Sequence, residues 1–301
     1  MTEQQPLVSI VIPCYNHAQF VQETIQSVID QDYENIELII IDDGSNDNSV
    51  EVIQEMIPAC EERFVRFEFR YRPNKGLCAT LNEALEWCEG EYFAPIASDD
   101  ILINYKTRKQ VCLFESEKDS LVVGVFGRVL AFDNKLNEIK NTDNVGLIKY
   151  NFEDVFYRRS KLPAPTAMLN TSKLKSVGGY DQKMKIEDFY LWLRLTEDGS
   201  KLLFANEYLA YYRRHSDNLS KKSNVMITGV MEVLDRYKNK KGYKEAVSRS
   251  YLVHAGDCVE NNSSGGFIYL LKGIVQSPKL IFSKLFLIFF YRKYLGFKKG
   301  I

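Results

Sequence analysis

Tyr92-Phe-Ala-Pro-Ile-Ala-Ser-Asp-Asp100 is an apolar run that ends in two adjacent carboxylates. Its hydrophobic residues from Tyr92 to Ile96 are framed by Gly90 on one side and by Asp99 and Asp100 on the other. That pattern suits an interior strand of a parallel sheet, buried on both faces. Ligands of open α/β sheets bind beyond the carboxyl ends of such strands. Two carboxylates there offer hard oxygen ligands to Mn2+ or Mg2+, and a hydrated divalent ion in turn grips phosphate oxygens. The competing reading makes Asp99 the cap of a helix starting near Ile101, which Asp does well with no metal present.

Before this stretch the chain alternates strand and helix. Val8 to Ile12 is β-branched and halted by Pro13, and Ala18 to Gln31 then carries Phe20, Val21, Ile25, Val28 and Ile29 on one helical face. Ile36 to Ile41 is a second buried strand that runs into Asp42-Asp43-Gly44-Ser45, followed by a helix expected from Val50 to about Met56. Val65, Phe67, Phe69 and Tyr71 alternate with charged residues, as in a strand near a sheet edge. A turn at Pro73-Asn74-Lys75-Gly76 opens a helix marked by Leu77, Leu81, Ala84, Leu85 and Cys88. This rhythm predicts an α/β fold, a Rossmann-like, mostly parallel twisted sheet with helices on both faces, whose first half binds a nucleotide. Beyond Asp100 the pattern loosens: a helix from Lys106 to Phe114, strands from Leu121 to Phe126 and Arg128 to Phe132, a polar stretch from Asp133 to Asn144, and a short helix Thr171 to Val177 ended by Gly178-Gly179.

Composition bounds the classes. The chain has 301 residues, 45% of them apolar and 26% charged, with a net charge of -1, which describes a globular protein and argues against a general nucleic-acid binder. The balance is uneven. Lys272, Lys279, Lys284, Arg292, Lys293, Lys298 and Lys299 come after Phe267 with no acid among them, which leaves 32 basic against 40 acidic residues before it. The six cysteines form no C-x-x-C pair and lie in or beside apolar segments, as reduced buried thiols in a cytoplasmic protein would. The first five residues lack the basic start of a signal peptide, and no apolar run is long enough for a membrane span.

Acids stand at three comparable places: Asp43, the Asp99-Asp100 pair, and Glu187-Asp188. Parallel strands deliver their carboxyl ends to one edge, so Asp43, Asp99 and Asp100 can converge on one ligand. Each has a plainer alternative. Asp-Asp-Gly-Ser is also an ordinary turn, and Glu187 and Asp188 also suit the first turn of a helix through its dipole. His215 beside Arg213 and Arg214 is either part of the site or a solvated basic patch. His17 and His254 are assigned no role, and Trp192 is read as core packing.

Seven ordered motifs resemble the family 2 inverting glycosyltransferases with a GT-A fold. They are Val8-Ser-Ile-Val-Ile-Pro-Cys-Tyr-Asn16, Ile41-Asp-Asp-Gly-Ser45, Asn74-Lys-Gly76, Ser98-Asp-Asp100, Gly178-Gly-Tyr180, Glu187-Asp188 with Leu191-Trp-Leu-Arg194, and Tyr212-Arg-Arg-His215, spanning about residues 7 to 220. The resemblance implies a nucleotide site built from Pro13, Tyr15, Asn16, Asp43, Asn74, Gly76 and Ser98, with Tyr15 stacked on the base and Asp43 bonded to its edge. It implies Mn2+ or Mg2+ held at Asp99 and Asp100, with His215 and Arg213 or Arg214 near the diphosphate or metal. It implies Asp188, beside Glu187, as general base. The implied reaction is non-processive transfer of a sugar from a nucleotide-sugar donor, UDP-linked, to a glycan or lipid-linked acceptor in cell-surface glycan synthesis. Two departures stand out: Ala97 replaces an Asp that many members carry at the metal motif, and the Gln-x-x-Arg-Trp signature of processive synthases is absent. Rival readings are a nucleotidyltransferase, which lacks its Gly-rich loop here, and a membrane-docked scaffold that binds nucleotide without turnover.

A helical C-terminal region is expected over residues 221–301, after a catalytic domain of residues 1–220. Leu280 to Tyr291 is apolar nearly all round with cations inside and after it, the makings of a helix at an anionic membrane surface on the inner face of the cytoplasmic membrane. A buried helix or a homo-oligomer contact is the alternative.

Overall fold

The strand signals translate into a sheet because the first runs bury both faces. In the computed structural model, which describes residues 5–132, 146–215, 218, 222–260, 265–283, 286, 287 and 289, Val8–Cys14 forms β1 and Ile36–Asp42 forms β2. Val8, Ile10, Val11, Ile12, Ile36, Leu38, Ile39, Ile40 and Ile41 are all fully buried. Each such side chain contributes about 1.5–3 kcal/mol of burial, so these two strands anchor the sheet. Helices Val21–Ile29 (α1), Ser49–Arg63 (α2) and Leu77–Trp87 (α3) alternate with Arg66–Tyr71 (β3) and Tyr92–Pro95 (β4). The parallel part of the sheet runs β3-β2-β1-β4, with Val8 paired to both Ile36 and Tyr92. β3 lies at the edge, as its alternation predicts.

At the opposite end of these strands from the acids, the Glu37 side chain is fully buried. Its carboxylate accepts the Ser9 hydroxyl, the N–H groups of Glu89 (2.7 Å) and Gly90 (2.8 Å), and Arg66 at 2.6 Å, which satisfies a group that would otherwise be costly to bury. Gly90 is required there, because a Cβ would lie 2.4 Å from the Ser9 hydroxyl.

The second half of the sheet is mixed. Ile101–Leu102 (β5) precedes Lys106–Ser116 (α4), Val122–Phe132 (β6) and Leu147–Tyr150 (β7). Next come Phe152–Phe156 (α5), Met168–Asn170 (β8), Thr171–Ser176 (α6), Glu187–Thr196 (α7) and Lys201–Arg213 (β9). The order continues β4-β8-β6-β9-β5, with β8 antiparallel to β4 and β6, and β5 and β7 antiparallel to β9. β6 is one strand where two were expected, its register with β9 slipping between Phe126 and Arg128 around Gly127. The helix expected near Ile101 is absent, since Ile101 and Leu102 pair with Tyr211 and Ala210 of β9. Asp99 is therefore no helix cap. α2 extends to Arg63 through Pro58, beyond the expected end near Met56. Five cysteines are buried, whereas Cys112 is exposed.

The chain divides into two compact units, residues 1–152, 161–182 and 194–215, and residues 153–160, 183–193 and 216–301. The second holds Ser223–Asp235 (α8), Tyr243–Glu260 (α9) and Gly266–Gln276 (α10), where Leu252, Ala255, Leu270, Leu280 and Phe289 form a core. The described part of the expected Leu280–Tyr291 helix includes a 3-10 turn at Pro278–Phe282. Lys284 and residues 290–301, like the polar stretch 133–145, lie outside the described residues. Among the described residues, no helix is long and apolar enough to cross a membrane.

Candidate active site

The loops that leave the carboxyl ends of β1 and β2 are stitched together. Asp42 closes its own turn, accepting the N–H groups of Gly44 (3.1 Å) and Ser45 (2.8 Å) and the Ser45 hydroxyl (2.6 Å). Asn16 adopts a left-handed backbone, φ 53°, which Asn tolerates better than most residues. Its N–H donates to the Ser45 hydroxyl at 2.8 Å, and its side-chain oxygen accepts the Asn46 N–H at 2.8 Å. The N–H groups of His17 and Ala18 reach Ser49 Oγ and Asp47 Oδ2, both at 3.0 Å. Tyr15 is left 45% exposed at this rim, an aromatic face open to a planar base.

Asp43 points the other way. It is buried, its two oxygens accept the N–H groups of Lys75 (2.8 Å) and Gly76 (2.9 Å), and it pairs with Arg72. Arg72 is also held by Glu83 at 2.8 Å and the Thr80 hydroxyl at 2.9 Å. The expected base contact is thus first a brace for the loop that carries exposed Asn74. Gly44 lets this loop approach: at φ +77°, a Cβ there would meet the Asn74 nitrogen at 2.6 Å.

The sheet register explains the second cluster. β1 runs beside β4, so the loop with His17 and the loop with Ser98 and Asp99 leave neighbouring strand ends. β5 pairs with β9, which brings Asp99 to His215 just past the end of β9. His215 Nε2 lies 2.8 Å from Asp99 Oδ2, and His17 Nδ1 lies 2.8 Å from Ser98 Oγ. One donor atom each from His17, Asp99 and His215 fall within 4.8 Å of one another. Two imidazoles and a carboxylate suit a divalent transition ion such as Mn2+. Ser98 and Asp99 are buried, and Ala97, where an acid was expected by resemblance, is exposed.

Two residues that the resemblance puts at the metal or diphosphate make framework contacts. Asp100 is not part of the cluster: it is 1% exposed and accepts the Arg213 N–H at 3.0 Å. Burial, and then the Asp99 charge, push its carboxyl well above the usual range. Arg213 is also buried; its Nε donates to the Asp99 carbonyl at 2.9 Å, it pairs with Glu23, and it lies over the rings of Phe20 and Phe132. It shapes the backbone on which Asp99 sits. Arg214 is exposed, with its N–H bonded to the Phe132 carbonyl. His17, to which the sequence alone gives no role, is the residue that the structure adds beside Asp99 and His215. Its place directly after Pro13-Cys-Tyr-Asn16, at the mouth of β1, is the signal that could have found it.

Glu187 and Asp188 open α7 within the second unit, both half-buried. Lost hydration raises the Asp188 pKa, opposed by the Phe189 N–H at 2.5 Å and then by the charge of Arg158. Arg158 holds a left-handed backbone, φ 54°, and lays its guanidinium 4.7 Å from the Phe189 ring. Lost hydration, then the Asp188 charge, push Glu187 up to about 7. In the first unit, Arg194 fixes the Gly179 carbonyl at 2.8 Å, while Asn82 bonds Tyr180 through both backbone groups at 2.8 Å.

The chain is similar to known glycosyltransferases. An uncharacterized glycosyltransferase of Rickettsia conorii is 28% identical over 219 residues, 72% of this chain, which spans about a third of that protein's length at 35%. The Escherichia coli UDP-Glc:alpha-D-GlcNAc-diphosphoundecaprenol beta-1,3-glucosyltransferase WfaP is 29% identical over 228 residues, covering 71% of this chain and 80% of WfaP. The mannosyltransferase PcManGT of Pyrobaculum calidifontis, solved with GDP-Man and Mn2+, superposes with a TM-score of 0.61 over 98% of this chain and 89% of its own. At 12% identity that likeness speaks for the fold alone. The family model for glycosyl transferase family 2 matches residues 9–176, more than half of the chain, and with the sheet order and strand-end loops described above it makes this protein a member of the family 2 glycosyltransferases, built on a GT-A fold.

Proposed function

We propose that this chain is a non-processive, inverting, metal-dependent hexosyltransferase that moves a sugar from a UDP-linked donor to a saccharide or lipid-linked saccharide acceptor in surface-glycan synthesis. The observation that carries the reading is the His17, Asp99 and His215 donor set, in loops that also present exposed Tyr15. Tyr15 stacks on the base. Asp43, with three of its roughly four acceptor positions taken by Lys75, Gly76 and Arg72, has one left for a ring N–H of that base. Pro13, Asn16, Asn74, Gly76 and Ser98 shape the nucleotide loops, and exposed Arg214 adds a cation for the diphosphate.

Mn2+ or Mg2+ bound at Asp99 and His215 would offset the negative charge that develops on the departing diphosphate. The acceptor oxygen attacks the anomeric carbon as the bond to the diphosphate oxygen breaks, and Asp188 takes the hydroxyl proton. One displacement inverts the anomeric centre. Base assistance of this kind typically contributes about 10²- to 10⁴-fold. Burial raises the Asp188 pKa, while the Phe189 N–H and then the Arg158 charge work against that rise, toward the ionised form that a base must be. Ala97 favours the scaffold alternative, since it removes a polar group from the metal motif.

The acceptor class is suggested by WfaP, whose name specifies a diphosphoundecaprenol-linked substrate, and by the second unit. α10 leaves Phe267, Ile268, Leu271 and Val275 exposed, with Phe282 beyond it at 86%, and from Phe267 onward the sequence has cations and no acids. That face suits an anionic membrane surface. Release of nucleoside diphosphate from a panel of UDP- and GDP-sugars, with a lipid-linked acceptor, tests the reading. Turnover by the intact protein that falls at least about 100-fold in Asp188→Asn supports it. An Asp188→Asn variant within a few-fold of wild type removes Asp188 as base, and no turnover with any donor leaves the scaffold.

A further inference from the structure

We propose that His17 is a third protein ligand of the cation site and that it makes the site select first-row transition ions such as Mn2+ over Mg2+. The inference deepens the metal reading of Asp99 and His215 given above and rests on it. A carboxylate with one imidazole is a sparse donor set, which either ion fills with water and phosphate oxygens. A second imidazole changes the chemistry. Nitrogen ligands suit transition ions, whereas Mg2+ demands oxygen and sheds its water reluctantly.

The geometry meets three requirements of a ligand. First, reach: donors about 2.1 Å from an ion stand about 3 Å apart when adjacent and just over 4 Å apart when opposite; the three donor atoms here lie within 4.8 Å of one another, so a side-chain shift of under about 1 Å closes them on one ion. Second, orientation: His17 Nδ1 bonds to Ser98 Oγ at 2.8 Å, and metal-ligating imidazoles are commonly fixed by a hydrogen bond at the other ring nitrogen. Third, independent support on each side. The His17 backbone is pinned by its N–H to Ser49 and by its carbonyl, which accepts Phe20 and Val21 at the start of α1. The ring stands edge-on to Phe20 at 5.7 Å and to His215 at 5.8 Å.

A ring that merely packs would make the same aromatic contacts, so the test separates packing from ligation. The 301-residue chain is stripped with a chelator and titrated with Mn2+ without nucleotide, the free ion being read by electron paramagnetic resonance, and Mg2+ is then added as competitor. His17→Phe keeps a ring and removes the donor atom; Ser98→Ala keeps all three donors and removes the orienting partner. The expected result is one Mn2+ per chain that a tenfold excess of Mg2+ does not displace, at least about tenfold weaker binding in His17→Phe with Mg2+ now competing, and a smaller loss in Ser98→Ala. Thermal midpoints measured in chelator, equal for wild type and His17→Phe, show that the variant is folded. Mn2+ affinity unchanged in His17→Phe, or Mg2+ displacing Mn2+ equally from both proteins, overturns the inference. Asp99→Asn distinguishes the deeper failure: if that variant also binds Mn2+ as wild type does, the metal reading of the site falls with it.

Discussion

Replacing Asp43 by Ala removes one side chain and releases three partners. Its carboxylate holds the Lys75 and Gly76 N–H groups and pairs with Arg72, with both side chains nearly buried at 6% and 11% exposure. Charge-assisted hydrogen bonds contribute about 1.5–3 kcal/mol each, and removing one partner of a buried pair costs about 3–5 kcal/mol. These figures overlap, and Arg72 keeps Glu83 and Thr80, so the expected loss is about 3–5 kcal/mol in total. Urea unfolding monitored by Trp87 fluorescence in a Trp192→Phe background reads the first unit, because Trp87 closes α3 and packs under Arg70 at 3.4 Å. With a slope of about 2–3 kcal/mol per M, the midpoint falls by about 1–2 M. A cycle with Arg72→Met should show coupling of about 1–3 kcal/mol. A midpoint within about 0.2 M of wild type, or strictly additive effects, would refute the bracing role.

Burial and charge set two further outcomes. Lys106 is fully buried, and burial alone lowers its pKa from 10.5 to about 7. The unfolded chain therefore binds more protons between these values, so this group's contribution to stability rises as pH increases from about 7 toward 10.5. Lys106→Met should stabilise the protein most below pH 7, by at most about 5 kcal/mol, with the gain vanishing near pH 10.5; a pH-independent difference in urea midpoint counts against it. On vesicles rich in phosphatidylglycerol, the wild-type chain should float in a sucrose gradient at low salt, whereas a Phe267→Glu, Val275→Glu double variant stays at the bottom; equal flotation of the two argues against the α10 face.

Much of the first unit was legible because its strands are fully buried β-branched runs and its turns use Gly, Asn and Asp where backbone geometry needs them. Val8 to Ile12, Ile36 to Ile41 and edge strand Arg66 to Tyr71 all fell where pattern placed them. Convergence of the strand-end loops came from parallel topology. Local pattern does not encode the pairing of β5 with β9, about 110 residues apart. That pairing carries His215 to Asp99, makes Ile101 a strand residue, and turns Asp100 and Arg213 inward as framework. The sequence alone gives His17 no role for the same reason, since a lone histidine says nothing until the loops of β1 and β4 are set side by side. The motif points Asp43 to the base, while its loop-bracing bonds depend on the approach of a turn some 30 residues later.

The most direct test is calorimetric titration of UDP into the chelator-treated chain and into Asp99→Asn, each with and without Mn2+. The wild-type chain is expected to bind UDP with an affinity that rises at least about tenfold with Mn2+, and Asp99→Asn to show no such gain. UDP affinity that is indifferent to Mn2+, or equally Mn2+-dependent in both proteins, would contradict a cation at Asp99 as the grip on the diphosphate.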